Sequence, residues 1–163
     1  MDIESLKKQV NETVESVSAI KSFIAEQKDI YLATPIGWPV HGVISSGFGL
    51  RVHPISGEVA GHTGVDIRIP TGTAVKATAP GIVSFSNWTN GSGYIVVLEH
   101  GHGFSTAYAH NKENYVTVGQ KVKKGATIAL SGSTGASTGP HVHYEVWKNG
   151  KQVNPISYLK DVL

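Results

Sequence analysis

The sequence changes its hydrophobic rhythm once, at Thr34-Pro35-Ile36-Gly37-Trp38-Pro39, and the two sides of that break call for different folds. Before it, Ile3, Leu6, Val10, Thr13, Val17, Ile20, Ile24 and Gln27 recur at alternating steps of three and four. The intervening positions are mostly Glu, Lys, Gln, Ser and Asn, with no Gly or Pro. Such a repeat draws one apolar stripe along a helix, and the stripe needs a facing surface. The spacing predicts a coiled-coil-like helix over 1–33. It pairs through residues 3–27 with a second copy (a homodimer) or with a partner helix. Packing of the stripe on the chain's own domain is the plainer alternative, and Thr13 and Gln27 weaken the seam.

Two prolines and a glycine within the break end the helix and form a linker, which opens a second domain over 34–163. From Val40 the period is two. Val65, Ile67 and Ile69 alternate, as do Phe104, Thr106, Tyr108 and His110, while residues 94–98 and 142–146 are strand-like. Turn signals separate these runs at Pro70-Thr71-Gly72, Ala79-Pro80-Gly81, Asn90-Gly91 and Lys124-Gly125. Short strands with frequent turns predict a mainly β, antiparallel domain, and no further helix of useful length is expected.

Composition excludes several chemistries. With no cysteine among the 163 residues, disulfides, thiolate metal sites and cysteine nucleophiles are all absent. A net charge of +2 and the lack of any Lys/Arg-rich run interleaved with aromatics argue against nucleic acid as a partner. No apolar run is long enough to span a bilayer, and the first residues lack a signal peptide's apolar segment. The chain is therefore expected to be either cytosolic or the soluble part of a longer, membrane-anchored precursor.

The chemistry lies in histidines. In STGPHVHYEVW, His141 and His143 follow a Gly-Pro turn and, on a strand, share one face opposite Val142 and Tyr144. In GHTGVDIRIP, His62 precedes Asp66 by four residues, an even separation that places both on one side of an extended segment. His110 is read as the end of a third strand, on the face of Phe104, Thr106 and Tyr108. Zinc accepts imidazole nitrogen and carboxylate oxygen at roughly 2.0–2.2 Å, and a catalytic site keeps one position open. His62, Asp66 and His143 would leave such an ion with one net positive charge, which acidifies water. His110 and His141 remain beside it, and imidazole's ordinary pKa of about 6.5 suits proton transfer. This donor set points to metal-assisted hydrolysis.

These residues resemble the lysostaphin/LytM-type zinc metallopeptidases, which are peptidoglycan endopeptidases built on a duplicated hybrid motif. The resemblance runs from Trp38 to Pro155 through SSGFGLRVHPISG, GHTGVDIRIPTGTAV, VKATAPGIVSFS, GYIVVLEHGHGFSTAYAH, VGQKVKKGATIALSGSTGASTGPHVHYEV and NGKQVNP, in that order. It implies an antiparallel, β-sandwich-like domain with one Zn2+ per chain on His62, Asp66 and His143. His110 and His141 are implied as catalytic residues, and a peptidoglycan peptide as the substrate. An extracytoplasmic location, periplasmic or cell envelope, follows from the same resemblance. Asn111 stands where the family usually has Leu. It is expected, with His53, to border the substrate groove.

The resemblance further implies that members which have lost activity lack one or more of the metal ligands and act as activators of cell-wall amidases, whereas all five positions are intact here, which argues for an active enzyme. A non-catalytic cell-wall or division module is thus the rival reading. SGSTGASTGP lacks the Lys-Ser/Thr of a phosphate-cradling loop and precedes a strand, so it reads as a flexible loop. VKATAPGIVSFS and VKKGATIALSG also resemble biotinyl and lipoyl carrier domains, but no lysine-bearing hairpin tip is evident. His41, His100 and His102 read as surface or turn histidines.

Overall fold

The structure is a computed structural model that describes residues 2–52 and 56–161. The chain divides into two compact units, one ending at Leu32 and one running from Ala33. The first is a single helix, α1, Ile3–Ala33. Asp2 caps it: the carboxylate accepts the Ser5 N–H at 2.7 Å, satisfying one of the donors that a helix start leaves free. Among the described residues, no helix is long and apolar enough to cross a membrane.

The second unit is an antiparallel β domain, as the period of two requires. Its first strands are β1 Val43–Ser46, β2 Gly49–Val52, β3 Val59–His62, β4 Val65–Arg68, β5 Ala74–Lys76 and β6 Gly81–Thr89. They are followed by β7 Gly93–Gly101, β8 Phe104–Asn114, β9 Lys121–Val122, β10 Thr127–Ser131, β11 His141–Lys148 and β12 Lys151–Val153. The main sheet runs β1-β4-β11-β8-β7-β6-β9. β12 is added to β11, and β10 bridges β8 and β5. β2 and β3 form a separate hairpin. After the break the only helical turn among the described residues is a 3-10 turn at Pro155–Ser157.

One face of the main sheet is dry. Val65, Ile67, Val96, Leu98, Val142, Tyr144 and Val146 are fully buried on it. Two tyrosines there carry hydroxyls that need partners. Tyr108 accepts the Thr78 N–H at 3.0 Å, and Tyr144 shares a hydrogen bond with the Thr78 hydroxyl at 2.8 Å. This buried link ties β8 and β11 to the 77–80 turn and stiffens the two strands that carry three of the four site histidines.

Candidate metal centre

β11 alternates cleanly. Val142, Tyr144 and Val146 enter the core, while His141, His143, Glu145 and Trp147 face the other way. Pairing with β4 sets His143 opposite Asp66 and His141 opposite Arg68, so the pleat brings the carboxylate beside the imidazole. His62 and Asp66 also meet, with Nε2 and Oδ1 3.2 Å apart, but not on one extended segment as their spacing suggested. His62 ends β3, the chain bends at Thr63-Gly64, and Asp66 lies on β4 in a different sheet. Gly64 lets this turn press against β11. A Cβ there would lie 2.3 Å from the Tyr144 carbonyl oxygen and 3.0 Å from His143 Nε2.

His110 also departs from the sequence reading. Strict alternation puts it with Tyr108 in the core, and β8 does not end there but continues to Asn114. Its φ of 63° lies in the left-handed region, uncommon for a residue with a Cβ. That kink breaks the alternation and turns the ring to the histidine face, where its centroid lies 4.7 Å from His141 and 6.0 Å from His143.

The segment 131–140, expected to be flexible, is held on both sides. Ala136 N–H donates to the Gly91 carbonyl at 2.8 Å, and His141 N–H to that of Gly132 at 3.2 Å. Gly93 and Gly135 meet where neither could carry a side chain: a Cβ on Gly135 would lie 2.3 Å from Gly93 N. The loop's carbonyls then orient two rings. His110 Nδ1–H donates to Thr134 O at 2.7 Å, and His141 Nδ1–H to Gly139 O at 2.8 Å.

Each of the four histidines thus has one nitrogen engaged and the other free to point inward. His62 Nδ1–H donates to the Gly47 carbonyl at 2.7 Å, leaving Nε2 for the centre. His143 Nε2–H donates to Glu145 Oε1 at 3.0 Å, leaving Nδ1 for the centre. The inward atoms His62 Nε2, Asp66 Oδ1 and His143 Nδ1 are separated by 3.2, 3.2 and 2.8 Å. Three ligands on a tetrahedral ion with bonds of 2.0–2.1 Å stand about 3.3 Å apart, so the spacing and the donor types both fit a zinc-like ion. His141 Nε2 lies 3.7 Å from Asp66 Oδ1, beside this triangle.

The electrostatics fit a cation as well. Burial disfavours charge on His143, but hydrogen bonds to Asp66 and Glu145 outweigh it and raise its pKa to about 9. Burial would raise Asp66, yet the His143 hydrogen bond and the neighbouring imidazoles hold it below the ordinary carboxylate value. Two carboxylates around one imidazole therefore demand positive charge, supplied by a proton or a metal ion. Burial keeps His110 below the usual imidazole range, so its inward nitrogen retains a lone pair at neutral pH.

Glu145 was missed by sequence reasoning. Besides His143, it accepts the Thr63 hydroxyl and, at 2.7 Å, the Trp147 indole N–H, and these bonds keep its pKa below the ordinary value despite burial. Its signal was present: the same period of two that pairs His141 with His143 extends one step further to Glu145. Asn111 does not border a groove. Its side chain is fully buried, donating to Tyr108 O at 2.9 Å and Asn114 Oδ1 at 3.0 Å, because the His110 kink returns the following residue to the interior. His53 lies outside the described residues. His100 is no surface histidine, since its ring is pinned between the Pro80 carbonyl at 2.7 Å and the Thr106 hydroxyl at 2.8 Å.

Residues 60–155, which contain all five candidate positions, match the model of peptidase family M23. The chain belongs to that family. Among relatives of this M23 chain, a DD-carboxypeptidase/endopeptidase of Neisseria meningitidis is 45% identical over 72% of this chain and 27% of its own length. A murein hydrolase activator of Escherichia coli is 38% identical over 75% of this chain and 28% of its own. The M23 chain thus spans about a quarter of these relatives. A zinc-containing peptidase from Vibrio cholerae superposes with a TM-score of 0.70 at 38% identity, over 77% of this chain and 39% of that one. The catalytic domain of lysostaphin from Staphylococcus simulans superposes at 0.66 with 34% identity, over 74% of this chain and 93% of that one.

Proposed function

We propose that the β domain is a zinc-dependent endopeptidase of peptidoglycan, cutting a peptide bond in stem peptides or cross-bridges outside the cytoplasm. The supporting observation is the convergence of His62 Nε2, Asp66 Oδ1 and His143 Nδ1 within 3.2 Å of one another, with His110 and His141 alongside. A bound zinc ion would supply Lewis acidity, polarising the scissile carbonyl and acidifying the attacking water. The chain's own residues do the rest. Glu145 fixes the His143 tautomer, and the Gly47 carbonyl fixes that of His62. His110 and His141 divide proton acceptance and oxyanion stabilisation between them, each through an Nε2 left free by its backbone bond. Family likeness supports the extracytoplasmic location, since the substrate lies there.

Digestion of purified peptidoglycan tests the reading. Zinc-loaded protein is expected to release peptides with new amino termini, chelator to stop it, and added zinc to restore it. Mass spectrometry of the products distinguishes a D-alanyl-diaminopimelate cross-link, the bond we favour, from a glycine-glycine bridge. Turnover that survives complete metal removal sinks the mechanism. The likeness to an activator favours a second reading, in which the domain binds wall peptides without cleaving them; inertness of the fully zinc-loaded chain on every wall type would establish that one.

The helix is assigned to self-pairing. With Ile3 at heptad position a, Lys7, Lys21 and Lys28 all fall at e, and no Lys or Arg falls at g. An antiparallel pair sets e against e and repels, whereas a parallel pair sets e against g and places Asp2 near Lys7 of a second copy. Light scattering is expected to give a dimer for the whole chain and a monomer without residues 1–32. Equal protomer counts for both would refute the assignment.

A further inference from the structure

Beside the histidine cluster lies a groove of about 550 Å³. Its floor is the sheet surface formed by Val43, Ser45, Asp66, Arg68 and His141, and the segment 138–140 forms one wall. Two of its charged or titratable groups, Asp66 and His141, belong to the candidate metal centre. The third, Arg68, does not. Arg68 is exposed, and among the described residues no carboxylate lies within ion-pairing distance of it. It stands two residues along β4 from Asp66 and directly opposite His141 on β11, so it shares their face.

Two residues of strand cover about 6.6 Å. An extended peptide whose scissile bond sits at the histidines therefore brings the next residue or two over Arg68. A guanidinium presents a planar fork of donors that matches a carboxylate, and it stays charged at every working pH. The remainder of the floor is apolar or uncharged, so away from the candidate metal centre Arg68 is the cationic group that an anion in this groove meets.

Resting on the endopeptidase reading of the same groove, we infer that Arg68 selects peptides that carry a free carboxylate within one or two residues of the cleaved bond. A stem peptide with unamidated acidic groups satisfies this, while a polyglycine bridge in mid-chain does not. Arg68 is thus a specificity residue, placed where it can read the substrate's charge without touching the reacting atoms.

The test uses the full chain and a synthetic cross-linked stem peptide in two forms, with the carboxylate next to the scissile bond either free or converted to carboxamide. Binding is measured by calorimetry with chelator present, so that no turnover occurs, and kcat/KM is measured with zinc. Wild type is expected to favour the acid by roughly 10- to 100-fold, the range of a charge-assisted hydrogen-bonded pair. Arg68→Gln should bring the acid form down to the level of the amide and leave the amide unchanged. Arg68→Lys, a point charge without the fork, should retain part of the preference. Equal affinity of wild type for both forms, or an equal loss on both in Arg68→Gln, overturns the inference. Selective binding of the acid by a chain that hydrolyses neither peptide would uphold Arg68 while overturning the endopeptidase reading.

Discussion

His143→Ala is expected to emerge from gel filtration without zinc and to hydrolyse nothing, and His62→Ala to match it. Each deletion leaves two of the three atoms that now stand within 3.2 Å of one another, and two protein ligands do not hold a catalytic zinc against dilution. Glu145→Gln separates holding the metal from orienting a ligand. The amide oxygen can still accept the His143 Nε2–H that Glu145 now accepts at 3.0 Å, but without its negative charge. Outer hydrogen-bond partners of metal-bound histidines typically contribute 10- to 100-fold in affinity. Glu145→Gln should therefore bind zinc weaker by that factor, in competition with a chromogenic chelator, and recover rate when zinc is raised. Zinc content in His143→Ala equal to wild type would remove the metal site, and undiminished affinity in Glu145→Gln would remove the orienting role.

The pH dependence follows with a definite sign. His143 has its pKa raised to about 9, so in the metal-free chain it carries a proton below that value. A metal ion must displace this proton, and zinc affinity should climb with pH until about 9 and level off above it. The same proton stabilises the metal-free fold. That contribution is complete below imidazole's ordinary value and is lost as pH rises through about 9, so metal-free melting temperatures should fall across this window. Glu145→Gln weakens the demand for the proton and should shift both curves toward lower pH.

Several parts of this site could be read from the chain because strand geometry fixes them locally. The shared face of His141 and His143 needs only a period of two, and Val142 and Tyr144 are indeed fully buried on the opposite side. The pairing of His143 with Asp66 could not be read, because register between distant strands leaves no mark in either segment. His110 is expected on the face of Tyr108, whereas a φ of 63°, invisible in residue type, turns its ring toward His141 and His143. The glycines of 132–140 suggested freedom, whereas Gly135 serves close contact with Gly93 and thereby aims the carbonyls that orient His110 and His141. Asn111 is expected at the groove from its place in the family pattern, yet it is buried: its Nδ2 donates inward to the Tyr108 carbonyl and to Asn114, while its Oδ1 has no partner among the described residues. In each of these cases the missing information was backbone direction or a distant partner, and composition encodes neither.

His141→Ala is expected to keep its zinc and lose rate by roughly 10²- to 10⁴-fold, the usual worth of a positioned proton-transfer group. The geometry separates it from the ligand class. Its Nδ1–H is committed to the Gly139 carbonyl at 2.8 Å, and its Nε2 lies 3.7 Å from Asp66 Oδ1, adjacent to the ligand triangle without belonging to it. His110 is built the same way on the Thr134 carbonyl, so His110→Ala should also retain metal and lose rate. Because the two rings act on one reaction, the double variant should fall by much less than the product of the single losses. Burial holds His110 below the ordinary imidazole value, so the part of the acid limb that it governs should lie below about pH 6.5 and vanish in His110→Ala. Metal content and circular dichroism guard against simple loss of the site, since both variants break the ring contact of 4.7 Å between the two histidines. A zinc-loaded His141→Ala that turns over at the wild-type rate would strip that residue of any part in proton transfer and leave His110 to carry it alone.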